Sequence, residues 1–245
     1  MHIPFKQVVE EAVELQNQLP WLEVVAVGGT AAAIHARHRY SVDADFVTPF
    51  LKENFEVVGE LLDRWDGWKT NRINRPVVIL GERHGVELGV RQLRRSVALD
   101  TTVVDGLVVP TPQEALRIKA FLLSQRKATR DYVDVAALCD HVGLEEAAES
   151  LRHLNTLYAP EGNLSRLSAF SQQCHAQPVD LHPGLLESYK GVRPPYQEWD
   201  YVARRCKDIA AKMHAMEMDG GVPKILSLPL PQVSTMRGGR PPHLP

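Results

Sequence analysis

At 245 residues the chain is long enough to bury a sizeable core, as one large or two small domains, and 44% hydrophobic residues supply the material for it. A formal net charge of -2 excludes a uniformly basic coat for nucleic acid and leaves room only for a local basic patch. No run of about 18 uninterrupted apolar residues offers a membrane span, and Met1-His2-Ile3-Pro4 lacks the basic-then-apolar order of a secretory signal. Cys139, Cys174 and Cys206 are widely spaced with no Cys-x-x-Cys pair, which argues for buried thiols rather than a disulfide framework or a zinc knuckle. The expectation is a cytoplasmic protein that does not enter the membrane.

In chain order, apolar residues at helical spacing predict an amphipathic helix over 5–19, stopped by Pro20. A buried strand follows over 22–27, then a short helix opened by Gly29-Thr30 and running through alanines to His35. Residues 39–46 alternate strictly: Arg39, Ser41, Asp43 and Asp45 are polar, whereas Tyr40, Val42, Ala44 and Phe46 are apolar or small, the pattern of a half-buried strand. A helix over 50–64 precedes strands over 69–73, 77–80 and 86–91. Strands at 101–104 and 107–109 are joined by Asp105-Gly106, a two-residue hairpin signal. Thr111-Pro112-Gln113-Glu114 combines a capping threonine, a proline at the first helical position and a glutamate placed to close a capping box, so a helix spans 112–125. Further helices are expected over 129–141, 144–157, 164–175 and 196–218, and the Pro/Gly-rich end from Ser234 onward is expected to be disordered. The fold class is α/β (α+β): a mixed β-sheet flanked by helices, followed by a carboxy-terminal helical domain.

Alternation places Asp43 and Asp45 on one face, where two like charges side by side ask for a cation between them, most naturally oxygen-loving Mg²⁺. Gly28-Gly29-Thr30 lets the backbone turn sharply and aims N–H groups at an anion from the start of the next helix. A dinucleotide loop is ruled out, because the third glycine it needs is absent. A phosphate cradle beside paired carboxylates describes a site for a nucleoside triphosphate with its metal. Glu87, on a later strand with Gly89 and Arg91, is the candidate third carboxylate of a two-metal centre, although Glu82 and Asp100 also lie near sheet ends and a solvated edge residue is the plainer reading.

Lys119 sits on the apolar stripe of its helix, where an ammonium needs an anion or must snorkel to water. Asp131 and Asp134 are three apart on the next helix and could anchor Lys119 or Arg130, or bond a ribose. His35 and His38 are also three apart, but without a third ligand they read as packing or surface residues rather than a zinc site.

The set Gly28-Gly29-Thr30, Arg39-x-Ser41-x-Asp43-x-Asp45-Phe46, Lys119 and Arg130-Asp131-x-x-Asp134 resembles the AbiEii/AbiGii-type nucleotidyltransferases, toxin components of abortive-infection and toxin–antitoxin systems in the DNA polymerase β-like superfamily. The likeness covers about residues 24–138. The domain expectation is a nucleotidyltransferase core over 1–110 and a helical domain over 111–218 that completes the nucleotide site, with a Pro/Gly-rich tail over 219–245 read from its composition. The resemblance implies that Gly28, Gly29 and Thr30, joined by Arg39, Ser41 and Asp134, hold the nucleotide, that Asp43 and Asp45 with Glu87 bind Mg²⁺ or Mn²⁺, and that Lys119 acts with the aspartates in catalysis. The expected activity is transfer of a nucleoside monophosphate from ATP, GTP or another triphosphate to an acceptor hydroxyl, with release of pyrophosphate. The 3′ end of tRNA or another RNA is the acceptor the resemblance favours, and Arg64, Lys69, Arg72, Arg75, Arg91, Arg94 and Arg95 are a candidate basic rim for it; a small molecule or a protein side chain is the alternative. A cognate antitoxin is the partner such a toxin implies. Ala44 departs from the family, which carries a bulky aliphatic residue there. A catalytically inactive nucleotide-binding or partner-binding protein of the same fold is the competing reading.

Overall fold

The computed structural model describes residues 3–160 and 164–219. Helix α1 (Phe5–Gln18) buries Val8, Ala12 and Leu15 along one stripe. A 3₁₀ turn, Pro20–Leu22, then carries the chain to β1 (Val25–Val27). The strand is shorter than 22–27 because Glu23 adopts a left-handed φ of 51°, which interrupts extended backbone. α2 (Gly28–Ala36) leads to β2 (Asp43–Thr48), and α3 (Leu51–Asp63) to β3 (Trp68–Asn74), β4 (Val78–Arg83) and β5 (Val86–Gln92).

These strands form one mixed sheet in the order β1-β2-β5-β4-β3. β2 runs parallel to β5 and antiparallel to β1, and β4 is antiparallel to both β5 and β3. A separate ribbon pairs β6 (Thr101–Val104) with β7 (Leu107–Pro110) through a turn whose Asp105 and Gly106 both have positive φ, as the Asp-Gly pair foretells. Helices follow: α4 (Pro112–Arg126), α5 (Thr129–Val142), α6 (Leu144–Leu151), α7 (Leu154–Leu157), α8 (Arg166–Cys174), α9 (Leu185–Ser188) and α10 (Trp199–Asp219). The single helix expected over 144–157 is two, because the turn at Arg152-His153 redirects the chain so that Leu154 and Tyr158 still reach the core that receives Leu151. The tail expected to be disordered from Ser234 lies outside the described residues.

Two apolar cores result. One gathers α1, the sheet face and α3 with Leu107 and Val109 of β7; the other fills the space among α4, α5, α6, α8 and α10. α2 is the wall between them, since Ala31 and Ile34 pack into the first and Ala32 into the second. That shared helix begins at the glycine turn, so the site is anchored to both cores at once.

Candidate active site

β2 starts at Asp43, not Arg39. Residues 39–41 are held instead by a distant partner: the Tyr40 N–H donates to Lys190 O at 2.9 Å and the Arg193 N–H to His38 O at 2.8 Å. The expected exposure therefore inverts along this stretch, with Arg39 and Ser41 buried while Tyr40 and Val42 are each 37% exposed. Within β2 the alternation holds. Ala44 and Phe46 are buried, and the Asp43 and Asp45 side chains are each 41% exposed.

Strand pairing assembles the centre. Val27 sits opposite Asp45, so the chain turns into α2 beside that carboxylate; Gly28 has φ +72°, and a Cβ there would lie 3.9 Å from Asp45 Oδ2. Across the sheet Asp45 faces Gly89, where a Cβ would come within 2.9 Å of Asp45 Oδ1, so glycine leaves the room the carboxylate occupies. Asp43 Oδ1 accepts from Ser41 Oγ at 2.9 Å and lies 3.6 Å from Lys190 Nζ; Asp45 Oδ1 accepts from Arg91 Nε at 3.0 Å. Burial opposes ionisation of Asp43, but Lys190, the Ser41 hydroxyl and Arg39 outweigh it and hold the carboxyl below its usual range.

Beneath this surface lies a buried ionic hub. Asp134, its side chain 0% exposed, accepts from Arg39 Nε at 2.7 Å and Nη2 at 2.9 Å, from His38 Nε2 at 2.7 Å, and pairs with Lys119 Nζ at 2.6 Å. Asp131 adds a second carboxylate to Lys119 at 3.3 Å and takes Arg126 Nε at 3.0 Å. Burial pushes the Asp134 carboxyl up, yet Arg39 and Lys119 hold it well below the ordinary range. For His38, burial is the largest influence and keeps the imidazole's pKa below its usual value despite Asp134.

The geometry places three of the expected site residues as follows. Asp134 is sealed from the cleft; it anchors Lys119, one of the two roles its position on the helix allowed, and orients Arg39. Thr30 does not face a phosphate, because its buried hydroxyl donates to Asp43 O at 2.5 Å and ties α2 to β2. Glu87 lies beside Asp43 in register, but it is exposed and outside the cleft lining, and among the described residues no three His, Cys, Asp or Glu side chains converge to hold a metal. Arg39 and Ser41 support the turn from below: a Cβ on Gly29 would meet Arg39 Nη2 at 2.7 Å and Ser41 Oγ at 3.0 Å. His35 bonds Pro110 O and His38 bonds Asp134, in keeping with packing roles.

The centre opens into a cleft of about 900 Å³. Nine lysine and arginine side chains line it; Arg39, Arg95, Lys119 and Arg126 are paired with the buried carboxylates of Asp134, Glu114 and Asp131, and the other five, Lys52, Arg91, Arg94, Arg130 and Lys190, outnumber Asp43 and Asp45, so the wall favours an anion despite the molecule's acidic balance. Gly28 and Gly29 are in its wall, as are Lys119 and, from outside the sequence motifs, Lys52, Arg126, Tyr189 and Lys190. The last two arrive on a loop with no periodicity, and nothing local marks them. The expected basic rim divides: Arg91, Arg94 and Arg95 line the cleft, while Arg64, Lys69, Arg72 and Arg75 do not, and Arg75 pairs with Glu56. Two half-exposed carboxylates fit Mg²⁺ or Mn²⁺, which takes one or two protein carboxylates and completes its shell with water and substrate phosphate oxygens.

No family model matches the chain. JHP933 from Helicobacter pylori is similar over 88% of this chain and 93% of its own, at TM-score 0.54 and 15% identity. MenT4, a nucleotidyltransferase toxin of Mycobacterium tuberculosis, is similar over 89% of this chain and 92% of its own, at TM-score 0.51 and 16% identity. At such identities the likeness is one of fold alone, a fold shared with a nucleotidyltransferase toxin. Among curated proteins, the heme uptake protein MmpL11 of Mycobacterium tuberculosis is 32% identical over 131 residues, 49% of this chain. The mycolic acid-containing lipids exporter MmpL11 of Mycolicibacterium smegmatis is 27% identical over 112 residues, 44% of this chain. The chain spans only 13% and 11% of the lengths of these relatives. Among the described residues no helix is long and apolar enough to cross a membrane.

Proposed function

We propose that the chain is a divalent-metal-dependent nucleotidyltransferase that moves a nucleoside monophosphate from a nucleoside triphosphate to an acceptor hydroxyl. The observation that carries this reading is the meeting of Asp43 and Asp45 with the Gly28-Gly29 turn at the mouth of a strongly cationic cleft. The acceptor oxygen would form a bond to the α-phosphorus as the bond to the bridging oxygen breaks; pyrophosphate leaves with that electron pair and the hydroxyl proton passes to water. Asp43 and Asp45 are the residues that would hold Mg²⁺ or Mn²⁺, which when bound lowers the pKa of the acceptor hydroxyl and neutralises the leaving group. The Gly28 and Gly29 amides would seat the phosphates, with Arg91 and Lys190 as nearby countercharges. Lys119, held by Asp131 and Asp134, has one of its three protons left for a phosphate oxygen. Phosphoryl chemistry of this kind asks mainly for positioning and charge balance.

The finer reading is an AbiEii-like toxin acting on the 3′ end of tRNA or another RNA and restrained by an antitoxin. It is supported by the motif set, by the fold shared with the MenT4 toxin, and by Arg94 at the cleft. The direct test is incubation with radiolabelled triphosphates, Mg²⁺ and total RNA. Label transfer lost in Asp43→Ala and in excess chelator is the expected result, and transfer that persists in Asp43→Ala refutes the assignment. The missing third carboxylate favours a second reading, a protein that binds nucleotide without turning it over. That reading predicts metal-dependent binding of a non-hydrolysable triphosphate with no label transfer to any acceptor.

A further inference from the structure

The segment Tyr189-Lys190-Gly191 belongs to none of the motifs, yet it forms one wall of the centre. Its backbone is unusual at one residue: Lys190, not a glycine, has φ +37°, followed by Gly191 at φ +62°, which glycine adopts freely. A lysine holds that conformation only where its surroundings enforce it. Here the enforcement is the pairing of residues 190 and 193 with the stretch at 38–40, reinforced by the Arg193 guanidinium 5.4 Å from the centre of the Tyr40 ring. A Cβ at position 191 would fall 2.5 Å from Tyr40 Cδ2, so the ring can lie there only over glycine. The clamp fixes the Lys190 backbone beside β2 and brings Nζ to 3.6 Å from Asp43 Oδ1.

This pair differs in kind from the hub below it. Lys119 is 3% exposed and bound to two sealed carboxylates, whereas Lys190 is 28% exposed, lies 6.0 Å from the centre of the Tyr189 ring, and has as its ion pair a long contact to an oxygen that already accepts from Ser41. An exposed pair of that geometry is weak and exchangeable. A divalent cation on Asp43 would stand a few ångströms from a like-charged ammonium, which would have to leave; a triphosphate offers it a new anion within the reach of its flexible stem.

We propose that Lys190 is a movable countercharge: it neutralises Asp43 while nucleotide is absent and passes to the triphosphate when a divalent cation takes the carboxylates, so that one side chain couples the two binding events. The proposal rests on the reading of the cleft as a triphosphate site. It assigns opposite signs to two affinities. Removing the ammonium eases entry of metal alone and weakens nucleotide.

Calorimetry of the full chain, first with Mn²⁺ alone and then with a non-hydrolysable triphosphate in the presence of Mn²⁺, tests it. Lys190→Met should bind Mn²⁺ alone about 3- to 10-fold more tightly and the nucleotide about 10-fold more weakly, within the usual range of coupling between sites. Lys190→Gln should agree with it, and Lys190→Arg should keep the wild-type order. If both affinities fall together in Lys190→Met and Lys190→Gln, or neither moves while wild type binds both ligands, the countercharge role is overturned and the triphosphate site stands. If wild type binds neither Mn²⁺ nor nucleotide, the triphosphate site itself is refuted, and the countercharge with it.

Discussion

Asp134 shows how one residue can govern a site it never touches. Three cationic or hydrogen-bonding groups converge on it, and breaking a buried pair by deleting one partner leaves the others desolvated and unmatched. Asp134→Ala should therefore lower stability by about 3–5 kcal/mol in urea denaturation; a loss below about 1 kcal/mol would mean that Arg39 and Lys119 find water or new anions. His38 makes the hub sensitive to acid. Its folded pKa lies below the ordinary 6.5, so between those values the unfolded chain binds the extra proton. Stability should rise as pH increases through this window, up to about 6.5, and be lost on acidification. Urea melts at pH 5, 6 and 7 should show that slope, and His38→Gln, which keeps an amide donor for Asp134 and cannot titrate, should reduce it. A flat profile in wild type would contradict the direction. Asp134 acts lower, its stabilisation fading only as pH falls from 3.8 toward its depressed folded value.

Among the elements, α4 is the instructive one. Thr111 caps it as the sequence leads one to expect, accepting from the Glu114 N–H at 3.3 Å. Glu114 does not close the box. The Thr111 N–H donates to Asp100 O, and the Glu114 carboxylate is buried between Arg95 at 2.8 Å and Arg117 at 2.5 Å. The two positions should then separate cleanly: Thr111→Ala costs about 1 kcal/mol, as a lost cap does, and Glu114→Ala about 3–5 kcal/mol, as a broken buried pair does. Equal losses would show that Glu114 serves only the helix end. The same contrast explains what local reading can reach. The Asp-Gly hairpin, the α4 start and the shared face of Asp43 and Asp45 depend on neighbours within a few residues, and all were legible. The burial of Arg39 and Ser41 depends on residues 189–193, about 150 positions away, so alternation alone placed them on a strand. Lys119 was recognisable as a misplaced charge on an apolar stripe; that Asp134 answers it together with Arg39, and so leaves the cleft, required the tertiary pairing. Lys190 carried no signal.

At the scale of the molecule, charge is segregated. A chain of net charge -2 places five lysines and arginines along one cleft beyond the four that buried carboxylates neutralise, so the field that guides an anion is local. Nucleotide affinity should fall steeply between 50 mM and 500 mM salt, as screening shortens toward a few ångströms. Affinity insensitive to salt would place the anion outside this cleft. The two cores meet on α2, with Ala31 and Ile34 facing one and Ala32 the other, so loosening either core reaches the amides of the glycine turn.

Position 29 puts that dependence within reach of genetics. A single methyl group there has nowhere to go except into the Arg39 guanidinium and the Ser41 hydroxyl, and the guanidinium is itself gripped by Asp134 on α5. Revertants that restore whatever a Gly29→Ala strain has lost should consequently map not to the loop but to codons 39 and 41, an inheritance pattern dictated by crowding.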